Sequence, residues 1–550
     1  MKGFLSKHFG LIVVVILGSL PLFPLLHSGL PVTHDGQDHV ARIANFYASL
    51  GDGNLIPRWA NNLNWGYGHP ILMFLYPLPS YTASFFHFLG FSFVDSVKLT
   101  FAVTYVFSGV FMYIWMRNIT NEKAGIVAAV LYMYAPYRFV DLYVRGAIGE
   151  HVAFMCIPLV FYFLYKISLF TKSMHVYLVL LSVSTTALIL SHNAVSIMVL
   201  PIAILYAAFI IYFSKKKLLL SIYYVAFLGL GITLSSFFLL PAFFEGKYTL
   251  RDIVTGNNEY AMSFVKPFDY INLSWSFGGS AFLSKQIGLV QLFGVILSIV
   301  FIKRTKGILK LTSIVFLLIL LGVLFIMLPY SNFIWQTVSI LQKFQFPWRF
   351  LTLVVVLTAF LSAVPLVYIK SKRQSKWVAI CFCTAAVVLY FPYYSKVQGY
   401  LHKPEEFYTQ VYESTTDTGE SAPIWSVRFM EKSPATFSEV IDGDAQINRI
   451  SSNSTNKNYK IIVMSENARI RENTLYFPNW SVYVNGNKTH IEFQDPANRG
   501  LITYYLPQGT HNIDIKFENT KIRTVSNILS SVSLLILLGY LLVKVNTRRR

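Results

Sequence analysis

The chain is 550 residues long, 54% hydrophobic, 16% aromatic and only 13% charged, with a mean hydropathy of +0.51. That is more apolar surface than a soluble core of this length could hide, so the composition defines a polytopic membrane protein and excludes a soluble one. The formal net charge of +20 is carried by short basic clusters scattered between apolar runs rather than gathered on one folded face, which excludes nucleic acid as the partner.

The first apolar run, 9–28, follows Lys2 and Lys7 and lacks a small-residue cleavage site, so it reads as an uncleaved first span with the N-terminus inside. Further basic clusters follow: Arg117 and Lys123; Lys166 and Lys172; Lys215 to Lys217; Lys303, Arg304, Lys306 and Lys310; Lys370, Lys372, Arg373 and Lys376; and Lys544 with Arg548 to Arg550. Placing them all inside predicts spans near 9–28, 99–116, 124–140, 152–170, 176–195, 197–213, 218–241, 286–302, 309–328, 350–369, 377–394 and 525–543. About twelve transmembrane helices then return the C-terminus to the cytoplasmic side. The stretch 71–91 is nearly long enough to cross, but counting it would turn every later basic cluster outward. Its Pro77 and Pro79 suit an interfacial or re-entrant element instead.

This topology makes 1–394 a transmembrane domain with a long first outer loop (29–98) and a large outer loop (242–285). Residues 395–522 form an extracytoplasmic β-rich domain, and 523–550 the final helix and basic tail. The outer segment reads as strands: 474–493 as a hairpin around Asn485-Gly486 and 500–517 as another around Pro507 to Gly509, together a small β-sandwich. Its Trp425 and Trp480 are either core residues or platforms for sugar rings. Cys156, Cys381 and Cys383 fall in predicted spans and offer neither a disulfide framework nor a zinc pattern.

The densest chemistry lies at 33–43, "THDGQDHVARI", directly after the first span. His34, Asp35, Asp38 and His39 are ligand types for a divalent metal ion, although four neighbours seldom converge on one ion unaided. A carboxylate at the water-facing mouth of a helical bundle can also serve as a base, and Asp35 can equally cap the helix that begins near Gly36.

Several motifs together resemble one family. "HDGQDH", "IPRWANNLNWGYGHPILMFLYPLP", "APYRFVDLYVRGAIGE" (135–150), "LSHN" (190–193), "FQFPWRF" (344–350), "YFPNWSVYVNG" and "LPQGTH" look like bacterial 6-pyruvoyl-tetrahydropterin synthase-related membrane proteins. These are similar in turn to GT-C glycosyltransferases, including the YfhO-like group. The zinc-binding histidine set of the soluble pterin synthase has no counterpart here.

The resemblance implies a GT-C-like fold and a transferase that moves a sugar, with inversion, from a polyprenyl-phosphate carrier to a cell-envelope polymer or lipid acceptor outside the membrane. It further implies acidic residues at the reaction centre in the first outer loop and after the third helix, here Asp35 or Asp38, and Glu150. A leaving phosphate needs cations near the membrane surface. Arg145 and Arg349 are the first candidates, Arg58 and Arg138 weaker ones, and each could instead snorkel or pair locally, Arg138 with Asp141. Glu150 could bind a sugar hydroxyl, assist a metal, or pair with Arg145. His34, His39 and His192 complete the expected substrate-binding set, His192 also being placed to satisfy backbone. The stretch "SWSFGGS" (274–280) suits a mobile lid over the cavity. Two rival functions share the many spans, a lipid-linked sugar flippase and a non-catalytic envelope assembly protein. A transporter would be expected to show repeated halves and charged sites at the bilayer midplane, and neither is visible.

Overall fold

Apolar runs separated by basic turns become a helical bundle, and nine described helices are long and apolar enough to cross a membrane. They are His8–Leu26, Phe93–Ile119, Ile148–Ser168, Met174–Ser191, Asn193–Phe213, Lys217–Leu234, Gly307–Ile326, Pro347–Val367 and Lys521–Lys544. The computed structural model describes residues 2–254, 259–279 and 282–546. The side chains of Lys2 and Lys7, Ser280 of the expected lid, and Arg548 to Arg550 lie outside the described residues.

The other three expected spans are also helices, but shorter or more charged. Glu122–Met133 has 12 residues, Leu289–Phe301 has 13, and the 18-residue Lys372–Leu389 begins with Lys372, Arg373 and Lys376. Twelve residues rise about 18 Å, well short of a hydrocarbon layer of about 30 Å. The ambiguous stretch 71–91 splits at Pro77 into Ile71–Phe74 and Leu78–Phe88. Neither piece is long enough to cross, in keeping with an element that does not span.

The bundle has two chemically different ends. At one, Lys123 donates to the Lys372 carbonyl at 2.8 Å, Lys166 to Asn118 Oδ1 at 3.4 Å, and the Lys216 ammonium lies 4.8 Å from the Phe170 ring. Four basic loops thus converge there. At the other end, β1 (Leu30–Pro31) pairs antiparallel with β2 (Tyr400–Leu401), joining the first outer loop to the chain that follows the Lys372–Leu389 helix.

The C-terminal sheet is antiparallel and six-stranded, made of β3 (Ser438–Asp442), β4 (Ala445–Ser452), β5 (Asn456–Leu475), β6 (Trp480–Val484), β7 (Asn487–Thr489) and β8 (Leu501–Phe517). Lys457 and Glu472, both on β5 and fifteen residues apart, form a buried ion pair at 2.8 Å. Fifteen extended residues would separate them by about 50 Å, so the strand bends back on itself. The bend falls at the bulge between Val463 and Asn467, and the halves take different neighbours, β4 before it and β3 after it. A single sheet folded over its own long strands makes the sandwich-like core around Tyr459, Ile461, Ile470, Trp480, Tyr504 and Ile515.

Two strand-level expectations separate here. The Asn485-Gly486 turn joins β6 and β7 with φ of 49° and 84°, as a two-residue hairpin requires. The second hairpin does not form, because Pro507 to Gly509 lie within continuous β8, opposite the β5 bulge, with Pro507 facing Asn467 and Gly509 facing Val463. Trp480 is 2% exposed and packs edge-on against Trp59, so it belongs to the core and offers no platform for a sugar.

One buried ion pair fastens the sheet and the final span to the bundle. Arg523 is fully buried and donates to Glu245 Oε2, to the Glu518 carbonyl and to the Pro478 carbonyl, while Thr520 donates to Glu245 Oε1. Arg58 reaches the same junction through Asn519 Oδ1 at 2.9 Å, Asn527 Oδ1 at 2.8 Å and the Phe237 carbonyl at 3.1 Å. Glu245→Ala should leave Arg523 without its counter-charge and lower stability by about 3–5 kcal/mol. Denaturant titration of the protein in detergent checks this, and Glu245→Gln, which retains an acceptor, should lose less.

Candidate functional site

The first outer loop is held by its backbone. His34 N–H donates to the Val144 carbonyl at 3.0 Å and Asp35 N–H to the Arg145 carbonyl at 2.9 Å, so the "THDG" turn lies against "VRGAIGE". Gly146 (φ 67°) sits at the crossing, where a Cβ would lie 2.3 Å from Thr33 Oγ1. Only glycine allows this approach. Helix Gly36–Gly51 then starts with Asp35 in the capping position, but the Asp35 side chain accepts no cap hydrogen bond. Among the described residues its half-buried carboxylate has no hydrogen-bond or ion-pair partner, while its charge is felt at Asp38, Tyr76 and Arg145. The capping alternative is thereby overturned.

Asp38 and His39 are held by other groups. Asp38 Oδ1 accepts from the Tyr412 hydroxyl at 2.9 Å, and Gln37 donates to the same hydroxyl at 3.0 Å. Burial pushes the Asp38 carboxyl above its usual range, and the nearby charges of Asp35 and Asp417 add to that against the opposing pull of Arg42 and Tyr412. His39 is buried, and burial together with Arg42 and Arg145 holds its imidazole neutral, well below its ordinary value. Its Nδ1 faces Arg42 Nη1 at 3.1 Å, and the buried Nε2 has no hydrogen-bond partner among the described residues. His34 is exposed and bonds the Phe277 carbonyl at 3.0 Å, linking this loop to the large outer loop.

Across from Asp35 lies a dry ionic cluster. Glu150 is 1% exposed and accepts from Arg145 at 2.9 Å, from the Tyr137 hydroxyl at 2.8 Å and from the Thr352 hydroxyl at 3.4 Å. Arg145 Nη1 makes all of that residue's polar contacts, including Tyr137 at 3.0 Å and Asp141 at 3.5 Å, and its guanidinium lies 4.8 Å from the Trp348 ring. Its Nε and Nη2 keep free N–H groups among the described residues. Asp141 in turn faces His151 Nδ1 at 3.1 Å. The expected pairing of Glu150 with Arg145 therefore forms.

Tyr76 and His192 close the remaining side. Their rings stack at 4.7 Å, and a Cβ on Gly149 would lie 2.1 Å from the Tyr76 ring, so the second glycine of "RGAIG" is there to admit this tyrosine. His192 Nδ1 accepts from Val195 N–H at 3.4 Å, serving backbone and site together. Arg349 donates to the Phe344 carbonyl at 3.1 Å, and its buried Nε has no hydrogen-bond partner among the described residues. Glu150, Tyr137 and Tyr76 all lie within its electrostatic reach.

Two weaker arginine candidates fall elsewhere. Arg58 is committed to the junction with the final span. Arg138 is fully buried among the rings of Tyr105, Tyr132 and Phe154, with centroids at 5.0, 5.6 and 4.1 Å, and makes no ion pair with Asp141. Arg138 Nη2 also donates to the Ser108 hydroxyl at 3.3 Å, and its buried Nε and Nη1 have no hydrogen-bond partner among the described residues.

Residues 400–423 supply what the sequence reading missed. This segment runs as a strap along the first outer loop: Tyr412 holds Asp38, Thr416 takes the Arg42 guanidinium, and Asp417 faces His69 Nε2 at 3.6 Å. Burial opposes the charge of Asp417, but the facing His69 imidazole and the hydrogen bonds from Ser421 N–H and Gly419 N–H outweigh it and hold that carboxyl below its usual range. The strap has no local periodicity and pairs with residues more than 300 positions away, so no local signal could have exposed it. Among the described residues no three His, Cys, Asp or Glu side chains are grouped to hold a metal ion. His34 and His39 point to different partners, so the first-loop cluster does not fit a metal and no step is built on one.

The fold and site together define a multi-span membrane protein with a carboxylate that has no hydrogen-bond or ion-pair partner among the described residues, beside a buried cluster of arginines and carboxylates. Residues 72–397 match the family described as 6-pyruvoyl-tetrahydropterin synthase related domain, membrane protein, and the chain belongs to that family. An uncharacterized protein of Lactococcus lactis subsp. cremoris is 26% identical over 312 residues, which is 54% of this chain and half the length of that relative. Among solved structures, the chain is similar to the arabinofuranosyltransferase AftD from mycobacteria, at 16% identity and TM-score 0.41, over 71% of this chain and 27% of that one. It is also similar to the oligosaccharyltransferase of Archaeoglobus fulgidus, at 15% identity and TM-score 0.43, over 76% of this chain and 61% of that one.

The Asp38 environment has a pH signature. A folded-state carboxyl raised above its unfolded value is stabilising only while protonated, and that contribution is lost as pH rises through the raised value. Asp38→Asn keeps an acceptor for Tyr412 and removes the cost of the charge. The variant should unfold at a higher temperature than the wild type at neutral pH, with the gap closing on acidification, as thermal unfolding from about pH 8 to about pH 4 will register.

Proposed function

We propose that the protein is a GT-C-type membrane glycosyltransferase that moves a sugar from a polyprenyl-phosphate carrier to a cell-envelope polymer or lipid acceptor outside the membrane. The observation that carries this reading is the Asp35 carboxylate, without a hydrogen-bond or ion-pair partner among the described residues and within electrostatic reach of Arg145, which with the neighbouring Arg349 keeps N–H groups free among the described residues. In an inverting step the acceptor oxygen attacks the anomeric carbon and its proton passes to Asp35. The bond from that carbon to the phosphate oxygen breaks, and its electron pair leaves with the polyprenyl phosphate. Arg145 and Arg349 bind the phosphate in both donor and product, the planar guanidinium matching its oxygens. Glu150 keeps Arg145 ionised and oriented, and Asp38 shapes the mouth through Tyr412. Tyr76, His192 and His39 line the space between them.

The same reading places the basic end of the bundle and both termini in the cytoplasm, with the mouth and the folded sheet outside. The segregation of lysines at the opposite end supports it.

Purified protein in nanodiscs, given radiolabelled undecaprenyl-phosphate hexoses and envelope polymers, should transfer label to an acceptor. Asp35→Asn should reduce the rate at least about a thousandfold, the scale expected when a general base is lost. Equal transfer by both forms would remove Asp35 from the mechanism. Retained undecaprenyl-phosphate binding with no transfer by the wild type across the panel would replace the transferase with a flippase or an assembly protein.

A further inference from the structure

Five carboxylates surround the mouth, and most are already engaged. Glu150 is paired with Arg145, Asp38 accepts from Tyr412, and Asp417 is bound by His69 and two backbone N–H groups. Besides Asp35, which has no partner, Asp38 and Glu420 each keep one oxygen without a hydrogen-bond partner among the described residues, and of these two only Glu420 lies on the strap. One of its oxygens accepts from the Thr418 hydroxyl at 2.7 Å, and the other has no hydrogen-bond partner among the described residues. The side chain is half-buried on the strap, within electrostatic reach of Arg349 and Arg42. The turn that presents it is built for the purpose: Asp417 accepts from Gly419 N–H at 2.8 Å and Ser421 N–H at 3.1 Å, and Gly419 has φ 84°.

The strap continues from this carboxylate to a half-buried aromatic surface. Five residues on, Trp425 lies edge-on to Tyr476 at 5.3 Å and to Phe493 at 5.0 Å and stacks with Tyr248 at 5.9 Å, while Tyr476 and Phe493 stack on each other at 3.7 Å. These rings bridge the large outer loop, the strap and the folded sheet. Aromatic faces bind the C–H faces of sugars, and a carboxylate with a free lone pair binds their hydroxyl groups. A phosphate donor is the wrong partner for Glu420, because an anion beside Arg349 repels it. An uncharged polyol arriving from the sheet side meets no such repulsion.

We propose that Glu420 and Trp425 form the acceptor subsite, with Glu420 taking a hydrogen bond from a ring hydroxyl of a saccharide acceptor whose neighbouring unit lies on Trp425. The subsite rests on the transferase reading for its role in catalysis, while its ligand class follows from the strap itself. Burial and the nearby Asp417 push the Glu420 carboxyl up, consistent with a group kept from bulk water.

The test uses the full chain in nanodiscs, with maltotetraose, cellotetraose and chitotetraose as probes and binding read by thermophoresis. At least one probe should bind the wild type, with affinity falling about tenfold or more in Glu420→Gln and Trp425→Ala and partly retained in Glu420→Asp, the scale of one lost charge-assisted hydrogen bond. Undecaprenyl-phosphate binding should be unchanged or tighter in Glu420→Gln. Binding of no probe, equal binding by wild type and Glu420→Gln, or a parallel loss of undecaprenyl-phosphate affinity would each overturn the subsite. Glu420-dependent saccharide binding by a protein that transfers no sugar would overturn the transferase reading and leave the subsite standing.

Discussion

Two backbone hydrogen bonds, from His34 N–H to Val144 and from Asp35 N–H to Arg145, fix everything around them. They bring the loop after the first span against the turn before the Ile148–Ser168 span, two segments separated by more than 100 residues. The contact needs Gly146 with positive φ and no Cβ, and it sets Asp35 at the edge of the Arg145–Glu150 cluster. Replacing the backbone join by a flexible loop would return Asp35 to the status of a solvated surface acid.

Much of this was legible in the sequence, and the reasons differ from element to element. The apolar runs and basic clusters located the helices, because the cost of an unsatisfied backbone in hydrocarbon leaves little freedom. The Asn485-Gly486 turn was legible from its left-handed residues alone. Pro507 to Gly509 carried an equally plain turn signal and gave none, because three residues of β5 bulge opposite that point and the strand runs through. Local turn chemistry is a preference of about a kilocalorie, and a long antiparallel partner overrides it.

The site shows the same division. Asp35, Asp38, Glu150, Arg145, Arg349, His39 and His192 lie in one chain of electrostatic neighbours, whereas Arg58 and Arg138 had an equal claim by residue type and lie elsewhere. What separates them is the neighbours that surround each guanidinium, a tertiary fact: Arg58 is held by Asn519 and Asn527, and Arg138 lies among three aromatic rings. Tyr76 and the strap were invisible because their partners are distant in sequence.

Satisfaction of charge also assigns the roles. A carboxylate with three donors, such as Glu150, is fixed in place by them. Asp35, which has none among the described residues, is held only through its backbone. The cluster around Glu150 is therefore a fixed arrangement, and in the proposed reaction its preorganised N–H groups would need no rearrangement to meet a phosphate. Asp35 on the loop and Glu420 on the strap both keep an oxygen free among the described residues, and they are brought near the same arginines from positions 385 residues apart in the chain. In the proposed reaction a ligand held between them would be positioned by the framework while the proton-accepting group stayed free to follow it.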